Sequence, residues 1–204
     1  MTDLYDGQPD DAERRLYLVR HAKSDWDGYP RVPDHDRPLN ARGRSAAQHM
    51  GKALAHMGIE PDLVVSSSAL RTKQTLERLE AAAGHTWPST LESALYAAHW
   101  DTLYSFIQDI EVYKGNFLGS EPRRLMLIGH NPGLHDLALH LASAEADKLR
   151  LVSQDGAADM HTRLSLKLPT CGVLVFRLSG RFADLHPSRM QLVQFLTPKR
   201  LAEH

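Results

Sequence analysis

The chain of 204 residues has almost no cysteine, no long apolar run and no excess of charge of one sign. Its single cysteine, Cys171, excludes an internal disulfide. No apolar segment approaches the ~20 residues that cross a bilayer, so we expect no membrane-spanning helix and no membrane partner. The 24 Lys and Arg residues nearly balance the 25 Asp and Glu residues, and no basic block is present. We therefore expect no nucleic-acid partner.

The first fifteen residues, MTDLYDGQPDDAERR, lack apolar periodicity and carry several acidic side chains. A secretory signal would need an apolar run in that place, so the sequence predicts a reduced, cytoplasmic protein. We interpret residues 1–15 as a mobile N-terminal arm. The length favours one domain, at ~150 residues per domain, which we place at residues 16–198. Residues 199–204 are then a C-terminal tail.

Three short apolar runs predict strands that are buried on both faces. They are LYLVR (16–20), DLVVSSS (62–68) and RLMLIGH (124–130). A helical pattern follows each run, and a residue that commonly caps helices precedes each pattern. These caps are Asn40, Ser68 and Asn131, the last with Pro132 at the first helical position. Gly58 should end the first helix, and residues 103–110 predict a further helix.

The alternation of strands and helices predicts an α/β fold, a three-layer αβα sandwich around a mostly parallel sheet. Two later runs, GVLVFRL (172–178) and MQLVQFL (190–196), have a short connection and should pair as an antiparallel edge. Residues 143–169 are polar and irregular. For that segment we expect either a loop or a short helix and hairpin beside a cleft.

Cationic side chains stand at three strand ends of this predicted sheet. Arg20 and His21 end the first strand, Arg71 opens the helix after the second, and His130 ends the third. Loops at the carboxyl ends of parallel strands meet in one crevice, so these groups should converge. A cation in the first turn of a helix costs about 0.3–1 kcal/mol unless an anion is near. The pattern therefore indicates a phosphate site, unless Arg71 pairs with Glu77 or another surface carboxylate.

Four ordered motifs, LVRHAKSDW, DHDRPLNARG, SSSALRTKQT and LIGHNPGL, resemble those of the histidine phosphatase superfamily, most closely its SixA-like phosphohistidine phosphatase branch. The resemblance spans about residues 16–198 and implies a phosphoglycerate mutase-like fold. It also implies that His21 is the nucleophile, that Arg20 and Arg71 bind the phosphoryl group, and that His130 lies beside it. Arg37, in DRPLN, matches an additional phosphate-binding arginine of that branch. The family needs no metal, and we expect no cofactor.

The residue chemistry is consistent with these roles. A neutral imidazole attacks phosphorus if one ring nitrogen keeps its proton, which we expect His21 to donate to a backbone carbonyl. Arg20, Arg37 and Arg71 supply paired donors to the transferring phosphoryl oxygens. A protonated His130 would add another donor.

The sequence departs from the family at two places. Ala22 stands where the family usually has glycine, which requires only a turn that tolerates a Cβ atom. The glutamate that serves as general acid in many relatives is expected near LESALYAAHW, where Glu92 is out of register and Ala94 and Tyr96 lie near the expected place. An imidazole leaving group can take a proton on its own nitrogen, so a missing acid is compatible with phosphohistidine. Candidate acids are Asp25, Glu92, His99 and Asp101.

We therefore predict a phosphatase that forms a covalent phosphohistidine on His21 and acts on a phosphorylated protein of the histidine phosphotransfer type. One alternative is a phosphomonoesterase for a small phosphate ester. Another is a weakly catalytic phosphate-binding module. A metal hydrolase using SDWDGYPRVPDHD is a third, although the spacing fits no ligand pattern and a solvated loop is favoured. Its ligands would be Asp25, Asp27, Asp34, His35 and Asp36.

Overall fold

In the computed structural model of the chain, the described residues are 13–27, 30–110, 122–149 and 155–202, so most of the predicted arm lies outside them. The strands are β1 Arg14–Arg20, β2 Leu63–Ser67, β3 Ser89–Glu92, β4 Arg124–Gly129, β5 Val173–Leu178 and β6 Met190–Leu196. The helices are α1 Ala41–His56, α2 Leu70–Ala83, α3 Trp100–Gln108, α4 Gly133–Leu149, α5 Asp155–Leu166 and α6 Pro198–Leu201. None of the helices in these ranges is long and apolar enough to span a bilayer.

The strands form one six-stranded sheet in the order β3-β2-β4-β1-β5-β6. β3, β2, β4 and β1 are parallel to one another, and β5 is antiparallel to both β1 and β6. The α/β class, the parallel centre and the antiparallel edge are thus confirmed. The short edge strand β3 is an addition that the sequence pattern did not reveal.

The apolar runs are continuous because the two faces of the sheet contact different cores. Leu16 and Leu18 of β1 pack on the side of α3, α4 and α5. Tyr17 and Val19, which alternate with them, pack on the side of α1 and α2. Successive side chains of a strand point to opposite faces, so a strand covered on both sides needs apolar residues throughout.

The helix starts agree with the sequence prediction at one of three positions. Asn40 caps α1, with its side-chain oxygen accepting from the Gly43 amide at 2.9 Å. The prediction for Ser68 is wrong, because Ala69 occupies the cap position and the Ser68 hydroxyl lies 3.0 Å from His35 Nε2. The helix after β4, α4, begins at Gly133, one residue after Pro132, the predicted first helical residue.

Residues 143–169 also differ from expectation. The described part of this segment is helical, since α4 continues to Leu149 and α5 covers Asp155–Leu166, and it contains no hairpin. At the chain ends, β1 starts at Arg14, which pairs with Leu178, two residues before the predicted domain start. Part of the predicted tail forms α6, where Leu201 packs against the core beside α1.

Candidate active site

His21 lies directly after β1, at the carboxyl end of the parallel strands. Its Nδ1 atom is 2.7 Å from the Ala22 carbonyl oxygen. Because a carbonyl only accepts, Nδ1 carries the proton and Nε2 is the nitrogen with a free lone pair. This is the expected arrangement of a nucleophilic imidazole, with a backbone group as the acceptor.

The environment of His21 keeps the ring neutral. Burial is the main cause that lowers the pKa of His21, to about 4, and Arg71, Arg20 and Arg37 add to it electrostatically. The hydrogen bond to Ala22 acts in the opposite direction without reversing the shift. At neutral pH the ring therefore keeps the lone pair that attack on phosphorus requires.

Ala22 fits the turn in place of the usual glycine. Among the described residues, only Ala97 and Cys171 combine a side chain with a positive φ, so the backbone at Ala22 is in an ordinary region. The methyl group is fully buried, and the Ala22 amide donates to the Thr75 hydroxyl at 3.0 Å. The turn accepts a Cβ atom without strain.

Each of the three predicted arginines is anchored by hydrogen bonds to the protein. Arg20 Nη1 donates to the Leu168 carbonyl at 2.9 Å. Arg37 Nη2 donates to the Ser24 hydroxyl at 2.7 Å. A guanidinium has five N–H donors, so donors beyond these anchors stay available to an anion.

Asp34 connects Arg37 with Arg71 and is the main site residue that sequence reasoning missed. Its carboxylate accepts from Arg37 Nη1 at 2.7 Å, from Arg71 Nη2 at 2.9 Å and from the Tyr96 hydroxyl at 2.8 Å. Arg71 Nη1 also donates to the Asp34 carbonyl at 2.6 Å. Asp34 is thus the surface carboxylate that pairs with Arg71, the alternative to a bound phosphate that the sequence left open for a cation at a helix start.

Asp34 is ionised at neutral pH. Its partial burial acts to raise the pKa, but the hydrogen bonds from Tyr96, Arg37 and Arg71 and the charge of Arg71 outweigh it and lower the pKa to about 2. The only sequence signal for this role was the position of Asp34 three residues before Arg37 in the DHDRPLN motif. Its contact with Arg71 crosses 37 residues and was not visible there.

His130 follows β4, and its ring centroid lies 5.2 Å from that of His21. Its Nε2 is 2.8 Å from the Ser67 hydroxyl. Burial first, then the charges of His21 and Arg71, lower the pKa of His130 to about 3. The His130 ring is therefore neutral in this structure at neutral pH. An anion bound beside it would raise that pKa.

One cavity of about 580 Å³ brings the five predicted site residues together, namely Arg20, His21, Arg37, Arg71 and His130. Its other lining residues in the described chain are Lys23, Ser24, Trp26, Asp34, Ala97, Asn131, Lys167, Pro169 and Thr170. Buried polar atoms without a hydrogen-bond partner among the described residues include Arg20 Nε, His130 Nδ1 and Asn131 Oδ1. Buried polar groups are normally paired, so three unpartnered atoms in residues that line one cavity are unusual.

The candidate acids from the sequence do not line this cavity. Asp25 accepts from the Asp27 amide, and Glu92 accepts from the Ala94 amide. His99 and Asp101 are exposed and contact each other at 3.0 Å. Among the described lining residues, Asp34 is the only carboxylate, and it is ionised.

The acidic segment 24–36, SDWDGYPRVPDHD, does not form a metal-ligand cluster in its described part. In the part of the chain that the structure describes, no group of three or more His, Cys, Asp or Glu side chains could hold a metal ion. Asp34 is instead paired with two arginines, and His35 is paired with Asp36 and Ser68. These contacts use the oxygens and nitrogens that the metal-hydrolase alternative requires as ligands.

The chain is similar to known proteins. Residues 16–105 match the sequence model of the histidine phosphatase superfamily, branch 1. An uncharacterized protein of Mycobacterium tuberculosis is 36% identical over 182 residues, which are 89% of this chain and 100% of that protein.

Two similar solved structures are both proposed SixA phosphohistidine phosphatases. The structure from Nakamurella multipartitia is 26% identical and has a TM-score of 0.71, with 94% of this chain and 99% of that chain covered. The structure from Agrobacterium tumefaciens is 26% identical and has a TM-score of 0.66, with 91% and 98% covered.

Proposed function

The chain belongs to the histidine phosphatase superfamily and to its SixA-like branch, and from this premise we propose that it removes the phosphoryl group from a phosphohistidine of a partner protein. His21 is the nucleophile of this proposal. Arg20, Arg37, Arg71 and His130 bind the phosphoryl oxygens. The reaction takes place in the cytoplasm and uses no metal or other cofactor.

The proposed reaction has two displacements at phosphorus. In the first, Nε2 of His21 forms a bond to phosphorus, and the bond between phosphorus and the substrate imidazole breaks with its electron pair going to the imidazole nitrogen. In the second, the oxygen of water forms a bond to phosphorus, and the bond between phosphorus and Nε2 of His21 breaks with its electron pair returning to Nε2. Inorganic phosphate leaves, and the water gives up one proton to it or to solvent. The arginines stabilise charge on the equatorial oxygens in both steps, which is the main requirement of phosphoryl transfer.

The observation that carries the substrate class is the ionised state of Asp34. A sugar or alcohol leaves as an alkoxide unless an acid protonates it, and a carboxyl group with a pKa of about 2 has no proton to give at neutral pH. A phosphorylated imidazole needs no such acid, because its second nitrogen can be protonated before departure. The cavity therefore favours phosphohistidine over a small phosphate ester.

A substrate comparison with one enzyme preparation tests the proposal. The substrates are a histidine phosphotransfer domain phosphorylated on its histidine, and a panel of sugar and alcohol phosphates. We expect kcat/KM for the phosphoprotein to exceed that for every ester by at least about 10²-fold, the range typical of a general acid. We also expect the activity to survive EDTA.

Two results would contradict the proposal. Equal or better turnover of an ester would favour the alternative of a small-metabolite phosphomonoesterase. No turnover of any substrate, together with binding of inorganic phosphate, would favour a weakly catalytic phosphate-binding module.

A further inference from the structure

A second depression adjoins the catalytic cavity and is larger. We call it the basic groove. It has a volume of about 780 Å³ and lies between the loop after β1, helix α1, helix α5 with the loop that follows it, and helix α6. Lys23, Lys167, Pro169 and Thr170 line both the groove and the catalytic cavity. The two depressions are therefore parts of one continuous surface.

The groove concentrates positive charge in a chain whose net charge is −1. Among the residues that the structure describes, six cationic side chains and no carboxylate line it, and the cationic residues are Lys23, Arg42, Arg163, Lys167, Lys199 and Arg200. Asp159 pairs with two of them, at 3.5 Å from Arg163 and 3.2 Å from Arg200. Within the described chain, the other four form no ion pair. Such a segregated charge attracts an acidic ligand.

Exposed apolar side chains accompany this charge. Leu166, on the groove wall, is 77% exposed. Trp26, at the catalytic cavity, is 59% exposed, and its ring stacks on the Arg37 guanidinium. Large apolar residues beside Arg are typical of protein interfaces, where Trp and Arg contribute much of the binding energy. A small phosphate ester has no need of these distant contacts.

We propose that the basic groove is the docking surface for an acidic segment of the substrate protein, next to its phosphorylated histidine. This inference rests on the proposed function and adds what the enzyme recognises beyond the phosphoryl group. The phosphoryl group enters the catalytic cavity while Asp and Glu side chains of the same protein contact Arg42, Lys199 and their neighbours. The shared wall at Lys23 and Lys167 joins the two contacts.

Nucleic acid fits the groove less well than an acidic protein segment. Proteins that bind single strands stack bases on aromatic side chains as well as attracting phosphates. The only aromatic residue among the described lining residues is Phe195. Its ring is 6% exposed and is covered by the Arg163 guanidinium, 4.7 Å from the ring centroid. The groove thus offers charge without a stacking platform of its own, and the Trp26 ring in the adjoining cavity already stacks on Arg37.

Two synthetic peptides, each phosphorylated on one histidine, test the docking surface. One carries glutamates beside the histidine and the other carries glutamines at the same positions. We expect kcat/KM to be about tenfold higher for the acidic peptide at low ionic strength, a typical effect of electrostatic attraction. This preference should decrease as salt is added.

The double variant Arg42→Gln with Lys199→Gln should lose the preference for the acidic peptide. Both side chains are exposed and lie in the groove but not in the catalytic cavity, so hydrolysis of phosphoramidate, a small phosphodonor, should not change. The matched control is Lys52→Gln with Arg78→Gln, which removes the same charge from exposed positions on α1 and α2 outside the groove. The control should keep the preference.

The possible results separate the docking surface from the catalytic proposal. If neither peptide is hydrolysed, the proposed function fails. If both peptides are hydrolysed equally well, the function stands and the docking surface is wrong. Equal loss in the double variant and its control would also overturn the docking surface, because net charge alone would explain it. So would stronger inhibition by a mixed-sequence oligonucleotide than by polyglutamate, which would indicate nucleic acid.

Discussion

Asp34 gives two arginines of the candidate site a fixed direction. A single carboxylate contacts the guanidinium groups of Arg37 and Arg71, and Tyr96 donates to the same oxygen as Arg71. Long arginine side chains lose rotamer freedom when an anion binds them, and a preformed contact removes much of this cost beforehand. The carboxylate also offsets part of the positive charge that would attract phosphate. Its two effects on phosphate binding therefore oppose each other.

The variant Asp34→Asn separates these two effects. We expect kcat to fall about 10²-fold, because the amide keeps only one acceptor oxygen for the two arginines, so one of them loses its partner, and a small misplacement has this order of effect. Inhibition by inorganic phosphate should stay equal or become stronger, because a negative charge is removed. Steady-state kinetics with phosphate as inhibitor measures both quantities.

Asp36→Asn is the matched control for this prediction. Asp36 is exposed and contacts His35 rather than an arginine. Its variant should retain kcat. An unchanged kcat in Asp34→Asn would show that Asp34 does not position the arginines.

His21→Ala should abolish turnover while the protein remains folded, because the nucleophile is lost and the remaining site is unchanged. Incubation with phosphoramidate should phosphorylate the parent protein on a histidine nitrogen and leave this variant unlabelled. Mass spectrometry after quenching in alkaline denaturant detects the label. His49→Ala, which changes an exposed histidine of α1, should keep both activity and label. Full activity of His21→Ala would refute the assignment of the nucleophile.

At the scale of secondary structure, Gly51 allows helices α1 and α2 to approach each other closely. Gly51 lies on the buried side of α1. A Cβ atom at this position would be 2.4 Å from the Leu79 carbonyl oxygen and 2.9 Å from the Ala82 Cβ atom of α2. The backbone of α2 thus contacts α1 directly. This contact matters for the site, because α2 also carries Arg71.

Gly51→Ala should destabilise the protein by about 1–3 kcal/mol, the usual cost of an overpacked contact. Alanine is intrinsically better than glycine in a helix by about 0.5–1 kcal/mol, but the atom that it would meet is a backbone oxygen that cannot rotate away. Urea unfolding measures the change. Lys52→Ala, at the exposed neighbouring position, should stay within about 0.5 kcal/mol of the parent protein. A stabilised Gly51→Ala variant would contradict the close approach.

The elements that the sequence predicted well are those with a strong local signal. The fully apolar runs of β1, β2 and β4 and the cap at Asn40 are local features, and the structure confirms them. Ser68 has the residue type of a cap, but its hydroxyl contacts His35, a partner 33 residues away. The helix α5 has a polar sequence that depends on tertiary packing, so periodicity did not reveal it.

The candidate site was likewise predictable where its residues follow from the order of strands and helices. Arg20, His21, Arg71 and His130 lie at strand ends, where the topology of a parallel sheet brings them together. Asp34 was assigned to a solvated loop, because only the folded chain places it between Arg37 and Arg71. The neutral state of His130 likewise depends on burial that the sequence does not display.

Buried histidines make the stability of the whole molecule dependent on pH. His21 and His130 have pKa values of about 4 and about 3 in the folded protein, below the ordinary histidine pKa of 6.5. Between the folded-state pKa values and 6.5, the unfolded chain binds more protons than the folded one, so the stability of the folded protein rises with pH. The contribution is complete above pH 6.5 and decreases as pH falls toward 4. The slope is about 1.4 kcal/mol per pH unit for each histidine.

Replacing one of these histidines should reduce that slope. In His130→Gln, the free energy of unfolding, measured with urea between pH 6.5 and pH 4.5, should depend less steeply on pH than in the parent protein. The difference in slope should correspond to about one proton taken up on unfolding. His49→Gln, which changes an exposed side chain, should leave the slope as it is. An identical slope in His130→Gln and the parent protein would mean that His130 is not held neutral by burial.

The net charge of the molecule conceals its distribution. The nearly equal numbers of acidic and basic residues argued correctly against a protein that is basic throughout. They gave no sign of the basic groove, because its cations come from segments between Lys23 and Arg200 that only the fold assembles. Charge counted along a chain does not report charge at a surface.

The acceptor that holds the His21 ring is the carbonyl of Ala22, an atom of the main chain. Every amino acid at position 22 would present the same oxygen, so no point mutation there deletes this contact. A mutation can remove the imidazole itself. It cannot inactivate the ring by removing a supporting carboxylate, as it could in a protein where an aspartate holds the histidine. Removing this acceptor by protein engineering would require moving the peptide backbone.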